Sequence, residues 1–153
     1  MHFRNITVLS LASLFGIGYS PYFSGTLSCI LALSIFLLIE SNTVFFSLTI
    51  ASVVLAFAIS GVAEKILKEK DSKKIVIDDF SGMLVTFLFI PRTPAFIISG
   101  FFLFRMLDMI KIPPADKLEE FPGSRGVVGD DLVAALYANL ILQTVRLLLK
   151  LNF

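Results

Sequence analysis

Long apolar stretches separated by short polar breaks dominate the sequence. The apolar stretches cover residues 5–15, 27–39, 44–62, 80–90, 95–104 and about 130–149. The first five contain no charged residue, so helices formed from them would be apolar on every side, which is typical of helices buried in a membrane or a large core. The pattern predicts an all-α fold.

The breaks predict two helical hairpins. A polar turn at residues 40–43 joins the second and third stretches, and we expect Thr26 to cap the second one. Two prolines and Arg92 separate the stretches at 80–90 and 95–104, and a single span would place them at mid-membrane at high cost. A hairpin with its tip at Arg92 avoids this, since short arms are tolerated inside protein.

Composition favours an integral membrane protein. The 153 residues suit one domain, covering 1–153. Hydrophobic residues make up 56% and charged residues 16%, against roughly 25% charged in soluble domains, and the mean hydropathy is +0.88. The net charge of +1 gives no sign of a nucleic-acid partner.

The two hairpins would gather the polar segments 16–26, 64–79 and 105–131 on one side of the membrane. That side would hold nine of the thirteen Lys and Arg residues, namely Lys65, Lys68, Lys70, Lys73, Lys74, Arg105, Lys111, Lys117 and Arg125. By the positive-inside bias, we expect this side to face the cytoplasm.

Two pairs of carboxylates are candidates for metal chemistry. Asp78 and Asp79 stand at a predicted helix start, where capping alone explains one aspartate better than two. Asp130 and Asp131 follow a glycine-rich segment, 123–129, which we interpret as a loop leading into the last helix. Carboxylate oxygens suit magnesium, so the pairs indicate a Mg²⁺ site.

Cations and hydroxyls close to these pairs suit phosphate. Arg105, Asp108 and Lys111 are spaced by three and share one helix face, although an ion pair at a membrane-helix end is an equally good interpretation. Lys117 and Arg125 are further anion-binding candidates in the same region, and Thr26 closes a hydroxyl-bearing segment that is also consistent with a simple turn.

Other phosphatase chemistries lack their residues. His2 is the only histidine, and Cys29, the only cysteine, has no Cys-x5-Arg phosphate loop after it. What remains is metal-assisted phosphate chemistry with water or a carboxylate as the nucleophile.

Four motifs resemble the phosphatidylglycerophosphatase A family of bacterial lipid phosphatases. They are GIGYSPYFSGT at 16–26, VIDDFSGM at 76–83, FRMLDMIKIPP at 104–114 and GSRGVVGDD at 123–131. Asp79 stands where the family usually has glutamate, and Ser24 and Ile112 stand where it usually has proline. The resemblance implies an all-α fold and magnesium-dependent removal of the terminal phosphate from phosphatidylglycerophosphate, giving phosphatidylglycerol for phospholipid biosynthesis.

The resemblance and the residues together define our hypothesis for the site. We expect Asp79, Asp108, Asp130 and Asp131 to bind Mg²⁺, and Asp78, Asp79, Asp108 and Asp131 to be catalytic. We expect Thr26, Arg105, Lys111, Lys117 and Arg125 to bind the substrate.

The same hypothesis places the protein in the bacterial inner membrane. It would be a multi-pass helical protein embedded in the lipid bilayer, with its polar site at the cytoplasmic face and no nucleic-acid partner. Two alternatives stay open. One is a phosphatase for another lipid or polyprenyl phosphate, and the other is a transporter or scaffold without enzymatic activity.

Overall fold

The computed structural model describes residues 2–70 and 72–149 and is helical throughout its regular structure. The helices are α1 (His2–Ala12), α2 (Ser24–Leu38), α3 (Asn42–Leu67), α4 (Ile77–Thr86), α5 (Pro94–Ile110), α6 (Ala115–Glu119) and α7 (Ser124–Leu148), with a 3-10 turn at Ile17–Tyr19. No strand occurs within the described ranges, which confirms the predicted all-α class.

Both predicted hairpins are present, and their tips meet. α2 turns into α3, where the Ser41 hydroxyl accepts a hydrogen bond from the Val44 N–H. α4 turns into α5 through the segment that holds Arg92. The Arg92 guanidinium donates to the carbonyls of Phe36 and Ile39 at 3.1 and 2.6 Å. It thus supplies donors to carbonyl groups that have no helical partner at the end of α2.

Two predicted helix starts are wrong. α2 begins at Ser24 with Phe23 as its N-cap residue, so Thr26 lies inside the helix and does not cap it. α7 begins at Ser124, and the predicted glycine loop is its first two turns. A glycine costs a helix only about 1 kcal/mol relative to alanine, so tertiary packing can override it. Gly126 is buried in that packing.

α4 is the shortest of the five helices that form the main core, and it lies between the others. It packs against α2, α3, α5 and α7. Phe36 of α2 stacks on Phe87 at 4.8 Å between ring centroids, and Ala135 and Ala138 of α7 are fully buried on the other side. The small side chains let α7 approach α4 closely.

The helices share one polar end. α2, α4 and α7 begin there, and α3 and α5 end there, because the hairpins alternate in direction. At this end the Gly61 N–H of α3 donates to the Ser124 hydroxyl of α7 at 2.8 Å. Within the described part of the chain, α3 and α7 are long and apolar enough to cross a membrane, and α2 is a shorter apolar helix.

Candidate active site

A polar cavity of about 350 Å³ opens at the shared end of the helices. Its walls come from the first turns of α2 and α4, the end of α5, the second turn of α7 and the segment 72–76 that precedes α4. Eight of the ten residues proposed from the sequence line it, namely Thr26, Asp78, Asp79, Arg105, Asp108, Lys111, Asp130 and Asp131.

Three carboxylates converge in this cavity. One oxygen from each of Asp78, Asp79 and Asp131 lies within 4.8 Å of the other two. Asp78 and Asp131 are only 7% and 6% exposed. Like charges held this close and away from water repel strongly unless a cation or protons offset them. The group is therefore suited to a bound cation.

The start of α4 explains how two neighbouring aspartates reach one point. Side chains of adjacent helical residues diverge by about 100°. Here the Asp79 N–H donates to Asp78 Oδ1 at 2.9 Å, so the Asp78 side chain turns back along the first turn. Both carboxylates lie where the helix N-terminus favours negative charge.

Arg105 connects two of the acidic residues. Its Nη1 forms a short hydrogen bond to Asp79 Oδ1 and another of 2.9 Å to Asp108 Oδ2, one turn further along α5. Burial raises the pKa of the Asp79 carboxyl to about 6, while Arg105 acts in the opposite direction and the Asp108 carboxylate adds to the rise. The Arg105 guanidinium therefore holds the Asp79 carboxylate in position and favours its charged form.

Lys111 connects α5 to α7. It follows the last residue of α5 with a left-handed φ of 51°, and its Nζ donates to Asp130 Oδ2 at 2.9 Å. Two of the cations that line the cavity, Arg105 and Lys111, thus each lie beside a carboxylate. An anion bound in the cavity would lie within reach of both cations. The three converging aspartates border the same cavity.

Lys117 and Arg125 lie outside the cavity. Lys117 is exposed on α6, and Arg125 is exposed in the first turn of α7. Arg125 precedes Asp131 by six residues, which on a helix places the two about 120° apart. The loop expected from the sequence would allow Arg125 to turn inward, whereas the helix does not. The structure does not bring these two residues to the site.

The cavity wall also contains residues that the prediction left out. The Ser24 hydroxyl donates to the Lys73 carbonyl at 3.1 Å and so joins the start of α2 to the segment before α4. Gly25 lies directly against the carboxylate of Asp79. The Ser-Gly-Thr sequence is consistent with a turn, and nothing in it indicates contact with a residue 54 positions away.

The converging group differs from the predicted metal ligands. The prediction named Asp79, Asp108, Asp130 and Asp131, whereas the structure groups Asp78 with Asp79 and Asp131. Asp108 and Asp130 hold Arg105 and Lys111 instead. All-oxygen donors of this kind fit Mg²⁺, which takes one or more carboxylates and keeps several waters or substrate oxygens.

Comparisons with known proteins identify phosphatases among the relatives of this chain. The sequence model of the family described as Phosphatidylglycerophosphatase A matches residues 10–146. A protein of Bacteroides thetaiotaomicron with the name "Putative phosphatidylinositol-3-phosphatase" is 31% identical over 141 residues, covering 86% of this chain and 89% of that protein. No solved structure gives a significant match.

Proposed function

The chain belongs to the phosphatidylglycerophosphatase A family, and from this premise we propose that it is a magnesium-dependent phosphatase acting on phosphatidylglycerophosphate. The products would be phosphatidylglycerol and inorganic phosphate, as part of phospholipid biosynthesis. The family match and the phosphatase name of the relative support the general class of reaction.

One observation carries the proposal beyond family membership. Three converging carboxylates, two of them buried and one partly buried, face the same cavity as Arg105 and Lys111, although these groups come from α4, from α7 and from the end of α5. A phosphate monoester is a compact dianion whose hydrolysis needs charge neutralisation and an activated oxygen nucleophile. This combination of groups is suited to both needs.

Each group has a role in the proposed mechanism. Asp78, Asp79 and Asp131 would hold Mg²⁺, which when bound offsets the phosphate charge and activates the attacking oxygen. Arg105 and Lys111 bind the non-bridging phosphate oxygens, where negative charge must be stabilised during transfer. Asp108 and Asp130 act as positioning residues, since their ion pairs hold the two cations towards the cavity.

The outer surface of the helices supports a multi-pass arrangement in the membrane. Large apolar side chains face outward on the helices around the core, including Val54 at 62%, Phe102 at 66% and Leu140 at 60% exposure. α3 and α7, with 26 and 25 residues, would each extend about 38 Å, enough to cross the hydrocarbon core. A lipid headgroup could then reach the cavity while its acyl chains stay in the bilayer.

We propose that the cavity faces the cytoplasm across a bacterial inner membrane. The cations at the cavity end, nine of the thirteen Lys and Arg in the sequence, are the basis for this orientation. The grouping of carboxylates at one end of the helices argues against a transporter, because transporters usually bind their ions near the bilayer midplane.

A second substrate is suggested by the relative. Its name refers to a phosphoinositide 3-phosphatase, and phosphatidylinositol 3-phosphate also presents a phosphate monoester on a lipid headgroup. The cavity chemistry suits either headgroup, as it would a polyprenyl phosphate. We favour phosphatidylglycerophosphate because the family model covers nearly the whole chain.

The test is inorganic phosphate release by the detergent-purified protein. We expect release from phosphatidylglycerophosphate with magnesium, none with EDTA, and slower release from phosphatidic acid and phosphatidylinositol 3-phosphate. Faster release from the phosphoinositide would favour the second substrate. No release from any of these lipids by a folded sample would contradict the phosphatase proposal and favour a transporter or scaffold.

A further inference from the structure

Four aromatic side chains stand exposed in the segment that leads to the cavity wall. Phe15, Tyr19, Tyr22 and Phe23, which we call the aromatic rim, belong to the segment between α1 and α2, and they are 82%, 52%, 75% and 79% exposed. Single exposed apolar residues are ordinary, but several exposed rings in one short segment indicate a contact with another molecule or with lipid.

The backbone holds these side chains outward. Leu14, Phe15 and Phe23 have φ values of 48°, 55° and 57°, a region that non-glycine residues rarely adopt. The Phe15 N–H donates to the Ser10 carbonyl at 2.7 Å, and the Gly18 N–H to the Ser13 carbonyl at 2.9 Å. Phe15 and Tyr19 therefore project from a hydrogen-bonded turn.

Two lysines lie next to the rim. Gly18 is so close to the Lys74 carbonyl that an added Cβ would stand 2.0 Å from its oxygen. The Lys74 ammonium lies 5.8 Å from the centroid of the Tyr19 ring. Lys73 precedes it, is also exposed, and is joined to α2 through the Ser24 hydroxyl. Aromatic and cationic groups thus share one surface.

This surface lies where the cavity meets the apolar outside of the bundle. Phe23 and Lys73 line the cavity itself. One turn later, at Leu27 and then at Ile30, the outward apolar face of α2 begins. Aromatic residues that border an apolar surface on one side and charged residues on the other are typical of the membrane–water interface.

We propose that the aromatic rim, with Lys73 and Lys74, binds the headgroup region of an anionic lipid leaflet and so opens the cavity directly onto its substrate. This rests on the proposed function at a membrane. The rings would insert among headgroups and upper acyl chains, and the lysines would select leaflets of negative charge. A protein partner would satisfy the rings but would not require an anionic bilayer.

A fluorescence experiment tests the contact without measuring activity. The sequence contains no tryptophan, so Tyr22→Trp supplies a single reporter in vesicles of phosphatidylglycerol and phosphatidylcholine. We expect stronger quenching by lipids brominated near the headgroup than by lipids brominated near the chain end. Phe57→Trp, outward on the middle of α3, should show the opposite depth order.

The two reporters separate the possible failures. An unquenched Tyr22→Trp beside a quenched Phe57→Trp would overturn the rim proposal while leaving the membrane fold intact. Two unquenched reporters would overturn both the rim and the membrane premise. Shallow quenching of Tyr22→Trp that is the same with and without phosphatidylglycerol would overturn the role of the lysines.

An activity experiment tests the consequence for the substrate. Phe15→Ser combined with Lys74→Gln should raise KM on phosphatidylglycerol-containing vesicles several-fold with kcat unchanged, because binding to the surface is lost and chemistry is not. Hydrolysis of a short-chain, water-soluble phosphatidylglycerophosphate should stay the same. Phe121→Ser, at a half-exposed aromatic outside the rim, is the control.

The results distinguish the rim from the phosphatase activity. An equal loss on vesicles and on the short-chain substrate would overturn the rim proposal, since it would indicate a distorted cavity. An unchanged KM on vesicles would overturn it as well. Failure of the unmodified protein to hydrolyse either substrate would instead contradict the proposed function, and the quenching experiment would still decide the lipid contact.

Discussion

The carboxylate of Asp79 lies directly against the backbone of Gly25. A Cβ added at Gly25 would stand 2.3 Å from Asp79 Oδ2 and 3.0 Å from its Cγ. On its other side, Asp79 Oδ1 accepts the short hydrogen bond from Arg105. The carboxylate is thus held between α2 and α5, and it has no room to move towards α2.

Gly25→Ala should therefore displace the Asp79 carboxylate and impair turnover. A methyl group cannot occupy that space, and misplacement of a reacting group by about 1 Å can cost on the order of 100-fold in rate. We expect a loss of kcat of that order, measured as phosphate release, while circular dichroism and the melting temperature show a folded protein.

Gly129→Ala is the matched control, since Gly129 precedes Asp130 on α7. A Cβ there would meet only the Leu118 side chain, at 3.6 Å, which is an ordinary contact. Its activity should be retained, and its stability should rise by up to about 1 kcal/mol from helix propensity. Normal activity of Gly25→Ala would show that the position of Asp79 does not limit turnover.

The sequence was sufficient to predict what depends on neighbours along the chain. Long uncharged apolar stretches favour helices, and the prolines around Arg92 favour a turn, so the class and both hairpins were predicted correctly. The contact between Arg105 and Asp108 also follows from their spacing, because residues three apart share a helix face.

Contacts between helices could not be predicted from the sequence. The distance from Asp78 to Asp131 depends on how closely α4 and α7 pack, and that in turn depends on buried alanines such as Ala135. The start of α7 was missed because glycines normally interrupt helices, whereas here the packing of Gly126 outweighs their helix propensity. These two effects explain why the convergence of Asp78 with Asp131 and the outward position of Arg125 do not follow from the sequence.

Asp131→Asn should abolish magnesium-dependent turnover without unfolding the protein. The change keeps the shape of the side chain and removes one charge from the group of three carboxylates. We expect at least about a 100-fold loss of activity, the upper end of the range for changes around metal ligands. Calorimetry should show weaker Mg²⁺ binding.

The metal-free Asp131→Asn protein gives the complementary readout. Its melting temperature in EDTA should equal or exceed that of the unmodified protein, because one of several buried like charges is gone. Asp116→Asn, on the exposed first turn of α6, should change neither property. Near-normal activity of Asp131→Asn would reject the proposed ligand group.

Lys111 and Lys117 should differ sharply when each is replaced by glutamine. Lys111 lines the cavity and pairs with Asp130, whereas Lys117 is exposed on α6. Removing a group that stabilises developing charge typically costs about 100- to 1,000-fold in kcat, and we expect this for Lys111→Gln only.

The comparison is made by steady-state kinetics on the same lipid substrate. Lys117→Gln and Arg125→Gln should keep kcat close to that of the unmodified protein, since neither residue lines the cavity. A loss for Lys117→Gln as large as that for Lys111→Gln would mean that α6 closes over the substrate during turnover. The cavity seen here would then lack one of the groups that bind the substrate.

Asn139 should matter for stability and not for chemistry. Its Nδ2 donates to the carbonyls of Thr86 and Leu88 at 2.9 Å each, where α4 has ended and these groups lack helical partners. Asn139→Leu should lower the free energy of unfolding by about 1–3 kcal/mol, because a buried carbonyl loses its donor. Turnover of the folded protein should persist, since Asn139 lies about 12 Å along α7 from Asp131.

Thr144→Ala, which removes only a bond within α7, should leave the melting temperature unchanged. Equal melting temperatures for both variants would mean that water or lipid groups satisfy the end of α4.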